Sequence, residues 1–161
     1  MKVDPLLELL QKNAKLSHEE LASLTNRGLE DVRAAIAAWE ADGTIQGYHA
    51  IVDPEAAGDH DVTALIEVKL TPERGGGFDR LAARIAKFNQ VRDCVLMSGG
   101  YDLAVTVKDR DLKEVARFVS EKLSTLEGVV STVTHFQLKP YKMNGFYFGD
   151  EGSPDRLPVT P

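Results

Sequence analysis

The apolar positions of this chain keep a helical rhythm to about residue 43 and an alternating one from about residue 61. Pro5 stands where an opening helical turn tolerates proline, and Leu6, Leu9 and Leu10 give that first helix one apolar stripe. Ser17-His18-Glu19-Glu20 spells a capping box, in which the Ser17 hydroxyl accepts from the Glu20 N–H and the Glu20 carboxylate reaches back. It opens a short helix holding Leu21, Ala22 and Leu24, which Thr25-Asn26-Arg27-Gly28 breaks. A third helix is predicted over about residues 29–42, with Leu29, Val32, Ile36 and Trp39 on one face and Gly43 as its stop. Residues 44–52 alternate loosely through Ile45, Gly47, His49 and Ile51, as a short β segment or hinge that Asp53-Pro54 ends. Helix, short helix, tight turn, longer helix and β segment is the order of a winged helix-turn-helix.

The second rhythm begins with a strand over residues 61–70, alternating through Val62, Ala64, Ile66, Val68 and Leu70. After a loop at residues 71–77, Phe78, Leu81, Ile85 and Phe88 line one side of a helix over residues 78–89. Next comes a strand alternating through Val91, Asp93, Val95 and Met97, a Ser98-Gly99-Gly100 break, and a strand alternating through Tyr101, Leu103, Val105 and Val107. Residues 111–126 read as a helix with Leu112, Val115, Val119 and Leu123 inward, and residues 129–138 as a last strand. The order β-α-β-β-α-β is the ferredoxin-like arrangement. Helices cover one face of such a sheet. The other carries Leu65, Glu67, Ala104, Thr106, Ser131, Val133 and His135, a mixture that suits either a second subunit or solvent. The predicted fold class is therefore α+β, with a winged helix-turn-helix and hinge at residues 1–53 and a ferredoxin-like βαββαβ domain at residues 60–139. Residues 140–161 fall out of any period and form an irregular tail, either disordered or partly docked through Tyr141, Phe146, Tyr147 and Phe148.

Composition narrows the classes. In 161 residues no apolar run is long enough to span a bilayer, and the charged start MKVDPLLELLQK does not read as a secretory signal. The single cysteine, Cys94, excludes an intrachain disulfide framework, fits a reducing cytoplasm, and reads as a small packed hydrophobe. His18, His49, His60 and His135 lie far apart without metal-ligand spacing, so no metal, cofactor or catalytic constellation is predicted. Arg74-Gly75-Gly76-Gly77 lacks the lysine of a phosphate loop and reads as a flexible connector.

The glycine break carries the candidate chemistry. A Gly-Gly turn exposes backbone N–H groups, and Asp102 sets a carboxylate beside them, a pairing suited to the two charged ends of a small zwitterion. The alternative is that the glycines only turn the chain and Asp102 only caps it.

With both halves placed, the chain resembles the leucine-responsive regulator/AsnC (Lrp/AsnC) family of prokaryotic transcription regulators. The resemblance covers roughly residues 4–142. It rests on EELASLT…VRAAIAAWEADGTIQGYHAIVD in the first half, and on TPERGGGFD, VLMSGGYDLAVTV, LEGVVSTVTHFQL and YK in the second. It implies dimers formed through the ferredoxin-like sheets, assembly into higher homo-oligomers, and a small effector, usually an amino acid, held near the glycine hairpin between dimers. Gly99, Gly100, Tyr101 and Asp102 are on that basis the expected effector-binding residues. The partners implied are DNA, an amino-acid effector and further copies of the chain, in the cytoplasm and away from membranes.

Charge complicates the DNA side. Residues 1–50 carry five positives (Lys2, Lys12, Lys15, Arg27, Arg33) against eight negatives (Asp4, Glu8, Glu19, Glu20, Glu30, Asp31, Glu40, Asp42). The predicted outward face of the third helix is Glu30, Asp31, Arg33, Ala34, Ala37, Ala38 and Ala41, with carboxylates in the turn that normally meets base edges. Only Arg27, Arg33, Lys12 and Lys15 are offered as phosphate contacts, and phosphate neutralisation supplies most of ordinary DNA affinity. Two readings follow: a ligand-responsive DNA-binding regulator, or an oligomeric amino-acid-sensing or interaction protein whose helix-turn-helix has lost DNA contact. An enzyme is not predicted. Haem-pathway decarboxylases of similar fold carry paired arginines where this chain reads Gly43-Thr44-Ile45-Gln46-Gly47.

Overall fold

A computed structural model describes residues 3–72 and 77–148, and the chain divides into two compact units between Ala50 and Ile51. In the first unit, α1 (Pro5–Lys12), α2 (His18–Thr25) and α3 (Leu29–Ala41) form where the apolar spacing places them. Asp4 caps α1 by accepting from the Leu6 N–H at 2.9 Å. The Ser17–Glu20 capping box of α2 closes in both directions, at 3.1 Å to the hydroxyl and 2.7 Å to the carboxylate. Asn26 ends α2 in the left-handed region at φ 53°, one of the few conformations that turn a chain directly from one helix into the next. Leu6, Leu21, Val32 and Ile36 form the buried centre, with Leu9, Leu10, Leu16, Trp39 and Ile45 packed around it. Leu24, expected with the apolar residues of α2, is instead exposed.

Residues 44–52 form no strand. A strand needs a neighbouring edge for its N–H and C=O groups, and the all-helical first unit offers none. The helix-turn-helix is therefore followed by an irregular linker.

The second unit holds an antiparallel four-stranded sheet in the order β2-β3-β1-β4, the ferredoxin-like order. Its strands are β1 (Val62–Leu70), β2 (Val91–Leu96), β3 (Leu103–Asp109) and β4 (Val129–Phe136). Helix α4 (Asp79–Ala86) lies between β1 and β2 in the chain, and α5 (Leu112–Arg117) between β3 and β4. The alternation of β1 and β3 holds: Ala64, Ile66, Val68 and Leu70, and Leu103, Val105 and Val107, are buried.

That of β2 does not. Val91 lies opposite Val107 but Asp93 opposite Thr106, so Arg92 is an extra residue and the strand bulges. The bulge flips the phase, turning Cys94 rather than Asp93 and Val95 toward the core beside Val91. Cys94 packs as expected of a small hydrophobe, and burial pushes its thiol pKa up.

The α5 register also departs from expectation. The helix passes into a π-helical turn over Phe118–Leu123, closed by the Ser124 N–H donating to the Val119 carbonyl at 2.8 Å. A π turn brings residues five apart onto one side, so Phe118 and Leu123 are both buried while Leu112 is exposed. Phe118 meets the edge of Phe88, with ring centroids 5.4 Å apart and planes at 84°.

The tail is not wholly irregular. Lys142–Met143 (β5) and Phe146–Tyr147 (β6) pair across Asn144-Gly145, whose φ values of 48° and 89° are those of a type I′ turn. The connector at residues 73–76 and the end of the tail at residues 149–161 lie outside the described residues.

Candidate functional site

Strands β2 and β3 pair down to Leu96 opposite Leu103, and the Met97 N–H closes the turn by donating to the Asp102 carbonyl at 2.8 Å. Gly99 sits at φ 134°, a conformation L side chains rarely adopt, and a Cβ at Gly99 or Gly100 would meet nothing within 4 Å. The glycines thus provide a bend in open space. Tyr101 is half-buried.

Asp102 is held from two sides. Its N–H donates to the Val68 carbonyl at 3.0 Å, and its carboxylate Oδ2 accepts from the Leu70 N–H at 2.7 Å. That second bond satisfies a backbone group where the β1–β4 register shifts between Lys69 and Leu70. So the capping role set out as an alternative is present, with its partner on another strand. Among the described residues, the N–H groups of Ser98, Gly99, Gly100 and Tyr101 and the Oδ1 of Asp102 have no hydrogen-bond partner within the chain. Backbone donors and one carboxylate oxygen are thus left unpaired side by side at the turn.

The sheet face away from α4 and α5 is open. Thr106, Leu65 and His135 stand side by side across β3, β1 and β4, and Ala104, Glu67 and Val133 form the next row. His135 Nε2 lies 3.1 Å from Glu67 Oε1, a diagonal cross-strand pair. Leu65, Val95 and Val133 are exposed around it.

In the first unit, Glu30, Asp31, Arg33, Ala34, Ala37, Ala38 and Ala41 are all exposed on α3. The two candidate arginines are already engaged. Arg27 Nη2 binds both carboxylate oxygens of Asp4 at 2.9 and 3.0 Å, and Arg33 reaches Glu30 at 2.9 Å and Glu19 at 3.5 Å. Burial works against the Asp4 charge, but the Leu6 N–H and the Arg27 guanidinium outweigh it and hold its carboxyl below the usual range. Lys12 and Lys15 are exposed, without an ion pair among the described residues.

Sequence reasoning missed the Leu70 N–H, because nothing local pairs residues 70 and 102. It also missed a cleft of about 920 Å³ along α4, whose wall carries Arg80, Arg84 and Lys87. Their i, i+4, i+7 spacing was the available signal. Among the described residues no group of His, Cys, Asp or Glu is arranged to hold a metal, and no helix is long and apolar enough to cross a membrane.

Residues 63–145 match the family model described as the Lrp/AsnC ligand binding domain. The chain is 43% identical over 157 residues to the uncharacterised HTH-type transcriptional regulator YugG of Bacillus subtilis, covering 97% of this chain and 95% of that one. It is 31% identical over 134 residues to the proline dehydrogenase transcriptional activator of Rhodobacter capsulatus, covering 83% and 86%. Among solved structures it is similar to a Neisseria meningitidis transcriptional regulator in complex with L-Met, with TM-score 0.67, 23% identity, and 88% and 94% of the two chains covered. The AsnC structure from E. coli gives TM-score 0.63 at 24% identity, covering 89% and 97%.

Proposed function

Because this chain belongs to the Lrp/AsnC family of transcriptional regulators, a non-enzymatic family with a ligand-binding domain, we propose that it binds DNA through α3 and controls that binding with an amino acid held at the 97–102 turn. The observation that carries the effector reading is the set of unpaired N–H groups at Ser98, Gly99, Gly100 and Tyr101 beside the free Oδ1 of Asp102. Backbone N–H groups suit a carboxylate and the Asp102 oxygen suits an ammonium, the two ends every amino acid shares. The L-Met held by the Neisseria neighbour is a molecule of this class. Side-chain selectivity then comes from whatever lies beside Tyr101, including a second copy of the chain.

The open sheet face, with exposed Leu65, Val95 and Val133 around the Glu67–His135 pair, is the surface we assign to the homodimer. On the DNA side, Lys12, Lys15, Arg27 and Arg33 contact phosphates, and the arginines exchange Asp4, Glu19 and Glu30 for them. The protein acts in the cytoplasm, where its DNA is.

The acidic α3 favours a second reading, an amino-acid-sensing oligomer without DNA contact. The effector part is tested by calorimetric titration of the full chain with single amino acids. Saturable binding of one or a few, weakened in Asp102→Asn, is the expected result. Absence of binding by all twenty contradicts it.

A further inference from the structure

Helix α3 carries one cation. Its charged residues are Glu30, Asp31, Arg33 and Glu40, so a charged phosphate contact from this helix falls to Arg33. That guanidinium is already engaged. Its Nη1 donates to Glu30 Oε1 at 2.9 Å within α3, and its Nη2 to Glu19 Oε1 at 3.5 Å across to α2. With both terminal nitrogens taken, the end-on, two-point grip of arginine on a phosphate competes with two carboxylates.

The helix dipole favours acidic residues in a first turn, and α2 and α3 each hold two there, Glu19 with Glu20 and Glu30 with Asp31. The dipole does not decide which of them meet Arg33. The Glu20 carboxylate turns back to accept the Ser17 N–H at 2.7 Å. Asp31 turns toward the start of its own helix, where its Oδ2 stands 2.9 Å from the place a Cβ on Gly28 would take. Glu19 and Glu30 are exposed and make no other side-chain hydrogen bond among the described residues. The Arg27–Asp4 pair differs, because Asp4 also caps α1 through the Leu6 N–H and so serves the fold as well.

We propose that Glu19 and Glu30 are positioning residues that hold Arg33 back from DNA, so that each helical unit binds more weakly than its cation would allow. This rests on the reading of α3 as the DNA-contacting helix. Exposed ion pairs are individually weak, which makes these two exchangeable for a phosphate. The carboxylates act twice. They occupy the guanidinium in the free protein, and they are carried into the field of a polyanion when it is released.

The test is a double-mutant cycle on the full chain. Fluorescence polarisation of a labelled fragment from upstream of the coding sequence, at low salt, compares the parent, Glu19→Gln/Glu30→Gln, Arg33→Ala and the triple variant. Glu8→Gln/Asp31→Asn removes the same charge without touching Arg33, and far-UV circular dichroism checks each fold. The expected result is binding about threefold to tenfold tighter in Glu19→Gln/Glu30→Gln, a gain larger than the charge control gives and lost in the Arg33→Ala background. A parent that binds no DNA beside a Glu19→Gln/Glu30→Gln protein that does also supports the inference, while counting against DNA binding by the parent. A gain no larger than the control, or kept in the Arg33→Ala background, is plain charge removal and overturns it. Unchanged or weaker binding by Glu19→Gln/Glu30→Gln overturns it too, and absence of binding by that variant and the parent alike overturns both the inference and the DNA reading.

Discussion

The Asp102 carboxylate accepts the Leu70 N–H at 2.7 Å, tying the glycine hairpin to the end of the central strand 32 residues away. One oxygen of the side chain thus holds the fold, while the other is unpaired among the described residues and is the one proposed above to meet the effector. The two roles separate by substitution. Asp102→Asn keeps a carbonyl oxygen for Leu70 and is expected to unfold within about 1 kcal/mol of the parent. Asp102→Ala strands the Leu70 N–H and is expected to cost about 1.5–3 kcal/mol. Urea denaturation of the full chain measures both, and amino-acid affinity should fall in each.

Gly128 is constrained by its backbone conformation and by its closeness to Leu81. Its φ of 95° disfavours any side chain, and a Cβ there would press on Leu81 Cδ2 at 3.0 Å. Gly128→Ala should therefore destabilise the ferredoxin-like unit by about 1–3 kcal/mol, lowering its melting temperature by several degrees. Gly100→Ala, with φ outside the left-handed region and open space at its Cβ, should change stability by less than about 1 kcal/mol.

These contrasts also show what a sequence displays and what it hides. Val62 to Leu70 and Leu103 to Val107 keep strict alternation, so their buried faces are readable, as are the Ser17–Glu20 box and the α3 stripe. The register of β2 is hidden because one extra residue, Arg92, inverts the phase without leaving a mark in residue type. The π turn likewise hid Phe118 and exposed Leu112, since helical spacing presumes 3.6 residues per turn throughout. Asn144-Gly145 is a strong local turn signal set in a stretch of prolines and aromatics that keeps no period. The glycine hairpin was legible, whereas the hold of Asp102 on Leu70 arises only when β1 and β3 pair.

The Asp4–Arg27 pair gives the helical unit a signed response to acid. Burial raises the Asp4 pKa, but the Leu6 N–H and Arg27 lower it further than burial raises it, so its folded value lies below the unfolded one. Its contribution is therefore present above the ordinary aspartate range and is lost as the pH falls through the depressed folded value, below about pH 4. Thermal unfolding of the helical unit from neutral pH to about pH 3 should show a smaller loss of stability in Asp4→Asn than in the parent. An equal loss in both would assign the acid sensitivity to other carboxylates, such as Glu20 in its capping box, whose pKa the Ser17 backbone N–H lowers.

The central claim is that an acidic recognition helix still serves DNA under the control of an amino acid. Its most direct test is fluorescence polarisation of a labelled fragment from upstream of the protein's own coding sequence, titrated with the full chain at low salt. The titration is repeated at rising salt, with a mixed amino-acid pool, and with Arg33→Ala. The account predicts binding that weakens as salt rises, by about 0.9 in log–log slope for each phosphate contact, shifts with the pool, and falls sharply in the variant. Absence of binding even at low salt, with the amino acids present and absent, contradicts it and leaves the protein a sensor without DNA.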